Sequence, residues 1–221
     1  MPGRSTVAVI GGTGAEGGGI ALRLAKAGHR VVIGSRDPGK AKAIAAELRG
    51  VIGTAELAGD GNRAAAATAE IVILAVPYAV QRATVEEIRD CLAGKILVDA
   101  TAPLVPPRVN RVQLPAGGSA VAAIQALLGE QTRVVSAFQN VAADKLRQLD
   151  RGVDCDVLVC ADDAAARQAA IELIASMGMR GVDAGPLCNS AAAEALTSLL
   201  IWINRKYQVP GAGIRITGID P

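Results

Sequence analysis

Val7-Ala8-Val9-Ile10-Gly11-Gly12-Thr13-Gly14-Ala15-Glu16-Gly17-Gly18-Gly19 joins a short apolar run to a glycine cluster, and a stretch of helical length follows through Leu22 and Leu24. Gly12, Gly14 and Gly17 fit G-x-G-x-x-G: the first permits a tight turn, the second lets backbone approach a pyrophosphate, and the third brings helix against strand. The helix N-terminus then faces phosphate. Three successive glycines in a helix cost about 1 kcal/mol each relative to alanine, and a close ligand is the simplest cause. A strand before, a helix after and a second strand beyond make this a dinucleotide-binding turn, with Gly12, Thr13, Gly14, Ala15, Glu16 and Gly17 against the nucleotide.

Working outward, β-branched runs alternate with Ala-rich segments, the pattern of repeated βαβ units. Strands are expected at Val7–Ile10, Val31–Gly34, Ile71–Val76, Ile96–Ala100 and Val134–Phe138. All are nearly continuous apolar runs, as in parallel sheets covered on both faces. Asp37-Pro38 opens a helix that Gly50 closes, and Ser119 and Gly129 bracket another. After Asp150 the rhythm changes to a strand at Asp156–Cys160, a helix from Asp163 to about Gly178, a strand at Gly181–Asp183 and a helix at Ser190–Tyr207. In that last helix Leu196, Leu199, Leu200 and Ile203 share a face expected to pack on apolar surface. The expected fold is a Rossmann-type doubly wound parallel sheet in residues 1–150, with a small C-terminal α/β domain in residues 151–221 for substrate or dimerisation.

With 221 residues, a formal net charge of +2 and 2% aromatics, the chain lacks the basic blocks and stacking platforms of a nucleic-acid binder. No apolar run approaches the ~20 residues that span a bilayer. Cys91, Cys155, Cys160 and Cys188 form no CxxC pair, so no metal site or disulfide framework is signalled, and reduced thiols in the cytoplasm are expected. His29, the one histidine, follows Gly28 and reads as a solvated residue at a helix end, leaving no Ser-His-Asp or Cys-His mechanism.

The second strand ends in Gly34-Ser35-Arg36, with Lys40 one turn on, where NAD-preferring sites carry an acid for the ribose hydroxyls. A hydroxyl, a guanidinium and an ammonium suit a 2′-phosphate, so the expected cofactor is NADP(H), with Asp37 left to cap the next helix. The nicotinamide should meet the strand ends at Val76-Pro77-Tyr78, Ala100-Thr101 and Ala137-Phe138-Gln139-Asn140. Hydride transfer needs stacking and water exclusion more than a histidine. The partner is then a small-molecule hydride acceptor. Tyr78, Tyr207 and Lys145 are the proton-donor candidates if that acceptor is a carbonyl.

Gly11-Gly12-Thr13-Gly14, Gly34-Ser35-Arg36 with Lys40, Val76-Pro77, Ser136-Ala137, and Asp183-Ala184-Gly185-Pro186-Leu187 with Asn189-Ser190 together resemble the NADP-dependent oxidoreductases of the deazaflavin coenzyme F420. The resemblance covers nearly the full length. It implies that Thr13, Ser35, Arg36 and Lys40 hold NADP, that Pro77 lies near the nicotinamide, and that hydride passes between NADP(H) and coenzyme F420. It places the deazaflavin against Gln139, Ala191 and Thr197, where the family carries His at the first position and Arg at the second. Other acceptors (a flavin, a ferric chelate, a small carbonyl) and a non-catalytic NADP sensor remain the alternatives, and a homodimer is expected in each case.

Overall fold

The computed structural model describes residues 5–53 and 56–219. Six parallel strands form one sheet: β1 (Thr6–Ile10), β2 (Arg30–Ser35), β3 (Leu57–Gly61), β4 (Ile71–Leu74), β5 (Ile96–Asp99) and β6 (Arg133–Ser136), in the order β3-β2-β1-β4-β5-β6. This is the doubly wound dinucleotide-binding order, whose reversal point lies between β1 and β4. Successive side chains alternate across it. Val7, Val9, Val31, Ile33, Ile71 and Ile73 pack with α1 (Ala15–Lys26), α2 (Pro38–Ile52) and α7 (Ala164–Ser176). Ala8, Ile10, Val32, Val72 and Leu74 pack with α3 (Asn62–Thr68), α4 (Tyr78–Ile88) and α5 (Ala120–Leu128).

Three strands are shorter than their apolar runs. Val76-Pro77 leaves the sheet because proline has no N–H for a ladder. Ala100 is the first residue beyond β5, and Phe138, beyond β6, has φ of 80° and turns its ring into the core. The strand β3 and the helix α3 were not anticipated: Leu-Ala-Gly-Asp-Gly carries no β-branched residue. The strand forms by pairing with β2, and its Gly59 lies so close to α2 that a Cβ there would sit 2.2 Å from the Ala41 carbonyl. The helix α2 runs through Gly50 to Ile52, with Gly53 at φ 82° ending it.

The glycines after the turn are explained by packing and not by a ligand. A Cβ on Gly17 would lie 2.6 Å from the Gly11 carbonyl oxygen, and one on Gly19 would lie 2.6 Å from Leu146 Cβ. Leu146 belongs to α6 (Ala143–Leu146), whose end is held by buried Arg23: the guanidinium donates to the carbonyls of Leu146 at 2.8 Å and Gln148 at 2.8 Å. A cation on a helix C-terminus satisfies carbonyls that have no intrahelical partner. His29 is likewise not solvated. It is 5% exposed, with Nε2 2.9 Å from Ser176 Oγ of α7.

Two further strands, β7 (Asp156–Val159) and β8 (Arg180–Asp183), pair in parallel. The Cys160 backbone, just past β7, bridges Ser136 of β6 in antiparallel fashion, and the β7 side chains join the same apolar cluster as β1 and β2. The helix α8 (Ser190–Tyr207) occupies its expected span but packs through a different face. Ser190, Ala193, Glu194, Ser198 and Leu200 are its buried residues, whereas Leu199 and Ile203 are exposed. Small side chains let α8 approach closely, and the carboxylate of Glu194 needs the donors it finds there. No helix among the described residues is long and apolar enough to cross a membrane.

Candidate active site

Strand order alone puts the ligand crevice at the carboxyl ends of β1 and β4. The β1–α1 turn is built for close approach there. Gly11 has φ of 81°, its amide donates to the Gly34 carbonyl at 3.1 Å, and a Cβ would lie 2.3 Å from the Ala75 carbonyl oxygen. The helix α1 opens at Gly14 without a side-chain cap, so the turn presents backbone rather than side chains.

On one side of this turn is a cleft of about 280 Å³ lined by Thr13, Gly14, Ser35, Arg36, Lys40 and Val76, among others. The side chain of Asp37 caps α2, its Oδ1 accepting from the amides of Gly39 at 2.8 Å and Lys40 at 3.1 Å. It is therefore engaged with backbone, while Arg36 and Lys40 have no acidic partner among the described residues. Two free cations and the Ser35 hydroxyl at the mouth of a crevice form a place for a dianionic phosphate. Asn62, from the unanticipated β3–α3 junction, also lines this cleft. Its Nδ2 donates to Glu87 Oε2 at 3.1 Å, and its buried Oδ1 has no partner among the described residues.

On the other side is a larger, mostly apolar cleft of about 500 Å³, bordered by Glu16, Tyr78, Thr101, Leu104, Val109, Gln139 and Thr197. Gly14, Ala75, Val76 and Pro77 line both clefts, so the two meet end to end over the β1 and β4 termini. Gln139 is fixed by its Nε2, which donates to the Asp99 carbonyl at 2.7 Å, and by the Thr197 hydroxyl, which donates to the Gln139 carbonyl at 2.7 Å. Beneath lies Asp99, wholly buried, accepting from Gln81 Nε2 at 2.6 Å and from the Thr101 amide at 2.9 Å. Burial pushes its carboxyl up to about 6 against the pull of those donors. Glu16 is pushed up to about 8, first by burial and then by the Asp99 charge.

Of the residues expected at the site, Thr13, Gly14, Ala15, Glu16, Ser35, Arg36, Lys40, Val76, Pro77, Gln139 and Thr197 line one cleft or the other. Gly12, Gly17 and Ala137 are buried behind this surface. Asn140 faces away, its Nδ2 donating to the Asp156 carbonyl at 2.7 Å, and Ala191 lies on α8 outside both linings. Among the proton-donor candidates Tyr78 lines the larger cleft, while Tyr207, at the far end of α8, and Lys145, on α6, do not. Residues not anticipated include Asn62, Val80 and Thr84 in the smaller cleft and Leu104, Pro106 and Val109 in the larger. Asn62 was hidden with its strand, and the others offer only packing surface, which leaves no mark in a single sequence.

The chain matches the family model described as NADP oxidoreductase, coenzyme F420-dependent, over residues 6–103. It is 40% identical to the F420-dependent NADP reductase of Methanocaldococcus jannaschii, covering 97% of this chain and 99% of that protein. It is also 40% identical to the F420-dependent NADP reductase of Methanothermobacter thermautotrophicus, covering 96% and 95%. A crystal structure from Arthrobacter sp. FB24, assigned as an F420-dependent NADP-reductase, superposes with a TM-score of 0.81 at 28% identity over 96% of this chain and 98% of that one. With relatives of this similarity along its whole length and the same sheet, the chain belongs to the F420-dependent NADP reductase family.

Proposed function

We propose that the protein transfers hydride between NADP(H) and the deazaflavin coenzyme F420. The observation that carries this reading is the junction of the two clefts at Gly14, Val76 and Pro77. An NADP molecule whose 2′-phosphate lies on Ser35, Arg36 and Lys40 has its pyrophosphate at the α1 start and its nicotinamide over Pro77. The apolar cleft beyond supplies room for a second flat ring. Hydride transfer then depends on holding the two rings within van der Waals contact in a water-poor slot, and rigid apolar walls accomplish that. Gln139 and Thr197 stand at the acceptor side, and Thr101 lines the same wall.

In this reading residues 1–150 bind the nucleotide and form most of the acceptor-side wall, to which residues 151–221 add Thr197 and a dimer contact. Leu199, Trp202, Ile203 and Tyr207 form an exposed stripe along α8, with Trp202 55% and Tyr207 70% exposed. Their spacing puts them on one side of a helix, a surface suited to a second copy of the chain. Cys91, Cys155, Cys160 and Cys188 are free thiols, in keeping with a reducing compartment such as the cytoplasm.

The test is to mix the protein with NADPH and coenzyme F420 and follow the deazaflavin absorbance. Bleaching of the deazaflavin with oxidation of NADPH is expected. Absence of bleaching, with NADPH oxidised by a flavin or a ferric chelate instead, would overturn the choice of acceptor.

A further inference from the structure

We propose that Glu16 is the acid of this site, carrying into the larger cleft the proton that must accompany a hydride to a conjugated ring acceptor. This rests on the hydride-transfer reading above and adds a role for a residue that otherwise belongs only to the glycine turn. The geometry comes first. Glu16 lies in the first turn of α1, lines the larger cleft together with Gln139 and Thr101, and has no hydrogen-bond donor on its carboxyl among the described residues. Asp99 is the opposite case, its two oxygens accepting from Gln81 and from the Thr101 amide.

Two carboxyl groups that feel one another, one wholly buried (Asp99) and one half-buried at the cleft wall (Glu16), cannot both ionise cheaply. Donors stabilise an anion, so the charge settles on Asp99 and the proton stays on Glu16. Burial and the Asp99 charge act in that direction, raising the Glu16 carboxyl to about 8. The other ionisable groups around this end of α1 are Tyr78 of α4, in the same cleft, and Arg147 after α6, whose Nε is 3.5 Å from the Ala15 carbonyl. Asp99 in turn feels Glu194 of α8. An acid poised near neutrality is where proton transfer is most effective.

The step balances as follows. A C–H bond of the dihydronicotinamide breaks and its electron pair forms a C–H bond at an electrophilic ring carbon of the acceptor. The O–H bond of Glu16 breaks and a proton bonds to a ring nitrogen of the acceptor. NADPH is oxidised by two electrons, the acceptor is reduced by two, and solvent returns a proton to the carboxylate.

Two measurements test this. In the cofactor-free protein, 13C-carboxyl NMR should show a glutamate signal titrating near pH 8 that is absent from Glu16→Gln and shifts to lower pH in Asp99→Asn. In turnover, wild-type kcat for NADPH oxidation by the deazaflavin should fall about tenfold per pH unit above the Glu16 value. Glu16→Gln should lower kcat by roughly a hundredfold or more, flatten that limb, and move the KM for NADPH less than threefold. A Glu16 signal titrating below pH 6, or a Glu16→Gln enzyme with wild-type kcat and pH profile, overturns the assignment. Failure of the wild type to turn over with the deazaflavin at any pH is a separate result that overturns the hydride-transfer reading itself, and it is seen before any variant is made.

Discussion

The Glu194 carboxylate of α8 lies on the first turn of α5, with Oε1 2.6 Å from the Ser119 hydroxyl and Oε2 2.7 Å from the Ala120 amide. The Val121 amide donates to it at 3.2 Å, and Ser119 Oγ accepts from the Ala122 amide at 2.9 Å. A carboxylate from one helix thus caps another 74 residues away. This fixes α8, and with it Thr197, against the sheet. Glu194→Ala would leave two amides of α5 buried without acceptors, a loss of about 3 kcal/mol. In a chain of this length that corresponds to a fall in Tm of roughly 6–12 °C. A thermal melt that moved by less than 2 °C would show that water or a neighbour replaces the carboxylate.

Gly59→Ala makes a second prediction from a close contact. The added methyl would meet backbone, the Ala41 carbonyl at 2.2 Å, which cannot rotate away as a flexible side chain could. The strand β3 and the helix α2 must separate, at a cost of about 1–3 kcal/mol. Lys40 precedes Ala41 and Asn62 follows β3, so the smaller cleft should loosen as well. Urea unfolding should report the stability loss and a several-fold rise in the Kd for NADPH should accompany it. An unchanged urea midpoint would mean that the contact relaxes freely.

The same region shows where the sequence is silent. Val7–Ile10 and Ile71–Leu74 are legible because an apolar run buried on both sides of a sheet has no other use. Leu57–Gly61 is an edge strand whose glycine answers a demand made by α2, so its cause lies outside its own segment. The smaller cleft is lined from two short motifs, the turn at Thr13 and Gly14 and the run from Ser35 to Lys40, both legible in the sequence. The larger cleft is assembled from segments far apart in the chain, such as the loops of Leu104 and Gln139 and the helix of Thr197, and no local pattern joins them. For α8 the leucines suggested the packed face, but the burial of Glu194 and Ser190 depends on Ser119, 71 residues from Ser190. His29 misled in the same way. A histidine at a helix end is ordinarily wet, and only the placement of Ser176 makes it otherwise.

That burial gives His29 a predictable effect on stability. Its pKa in the folded protein is lowered, chiefly by burial and with the Ser5 backbone pulling the other way, so the unfolded chain takes up a proton more readily. The stability it contributes is present above about pH 6.5 and is lost as the pH falls through the lower folded-state value. Comparing urea midpoints at pH 7 and pH 5, the wild type should lose more stability than His29→Gln. Equal losses in the two proteins would mean that His29 can take up its proton in place.

Cofactor choice supplies the last prediction. Ser35, Arg36 and Lys40 border one cleft, and the nearest carboxylate, Asp37, is occupied with the amides of Gly39 and Lys40. A site so arranged turns its nearby carboxylate, through Oδ1, to the amides that open α2, and sets two cations to receive a phosphate. If Arg36 forms charge-assisted hydrogen bonds to the 2′-phosphate, its removal costs about 1.5–3 kcal/mol, or roughly ten- to hundredfold in affinity. Arg36→Ala should therefore weaken NADPH binding by that factor while leaving NADH binding nearly untouched, and Lys40→Ala should do the same to a smaller degree. The NADPH affinity should also fall with added salt in the wild type and fall less in Arg36→Ala, because exposed charges are screened. Calorimetry with both dinucleotides measures all of this directly. Equal uptake of NADH and NADPH by the wild type, unaltered by Arg36→Ala, would place the phosphate elsewhere and remove the basis for the preference.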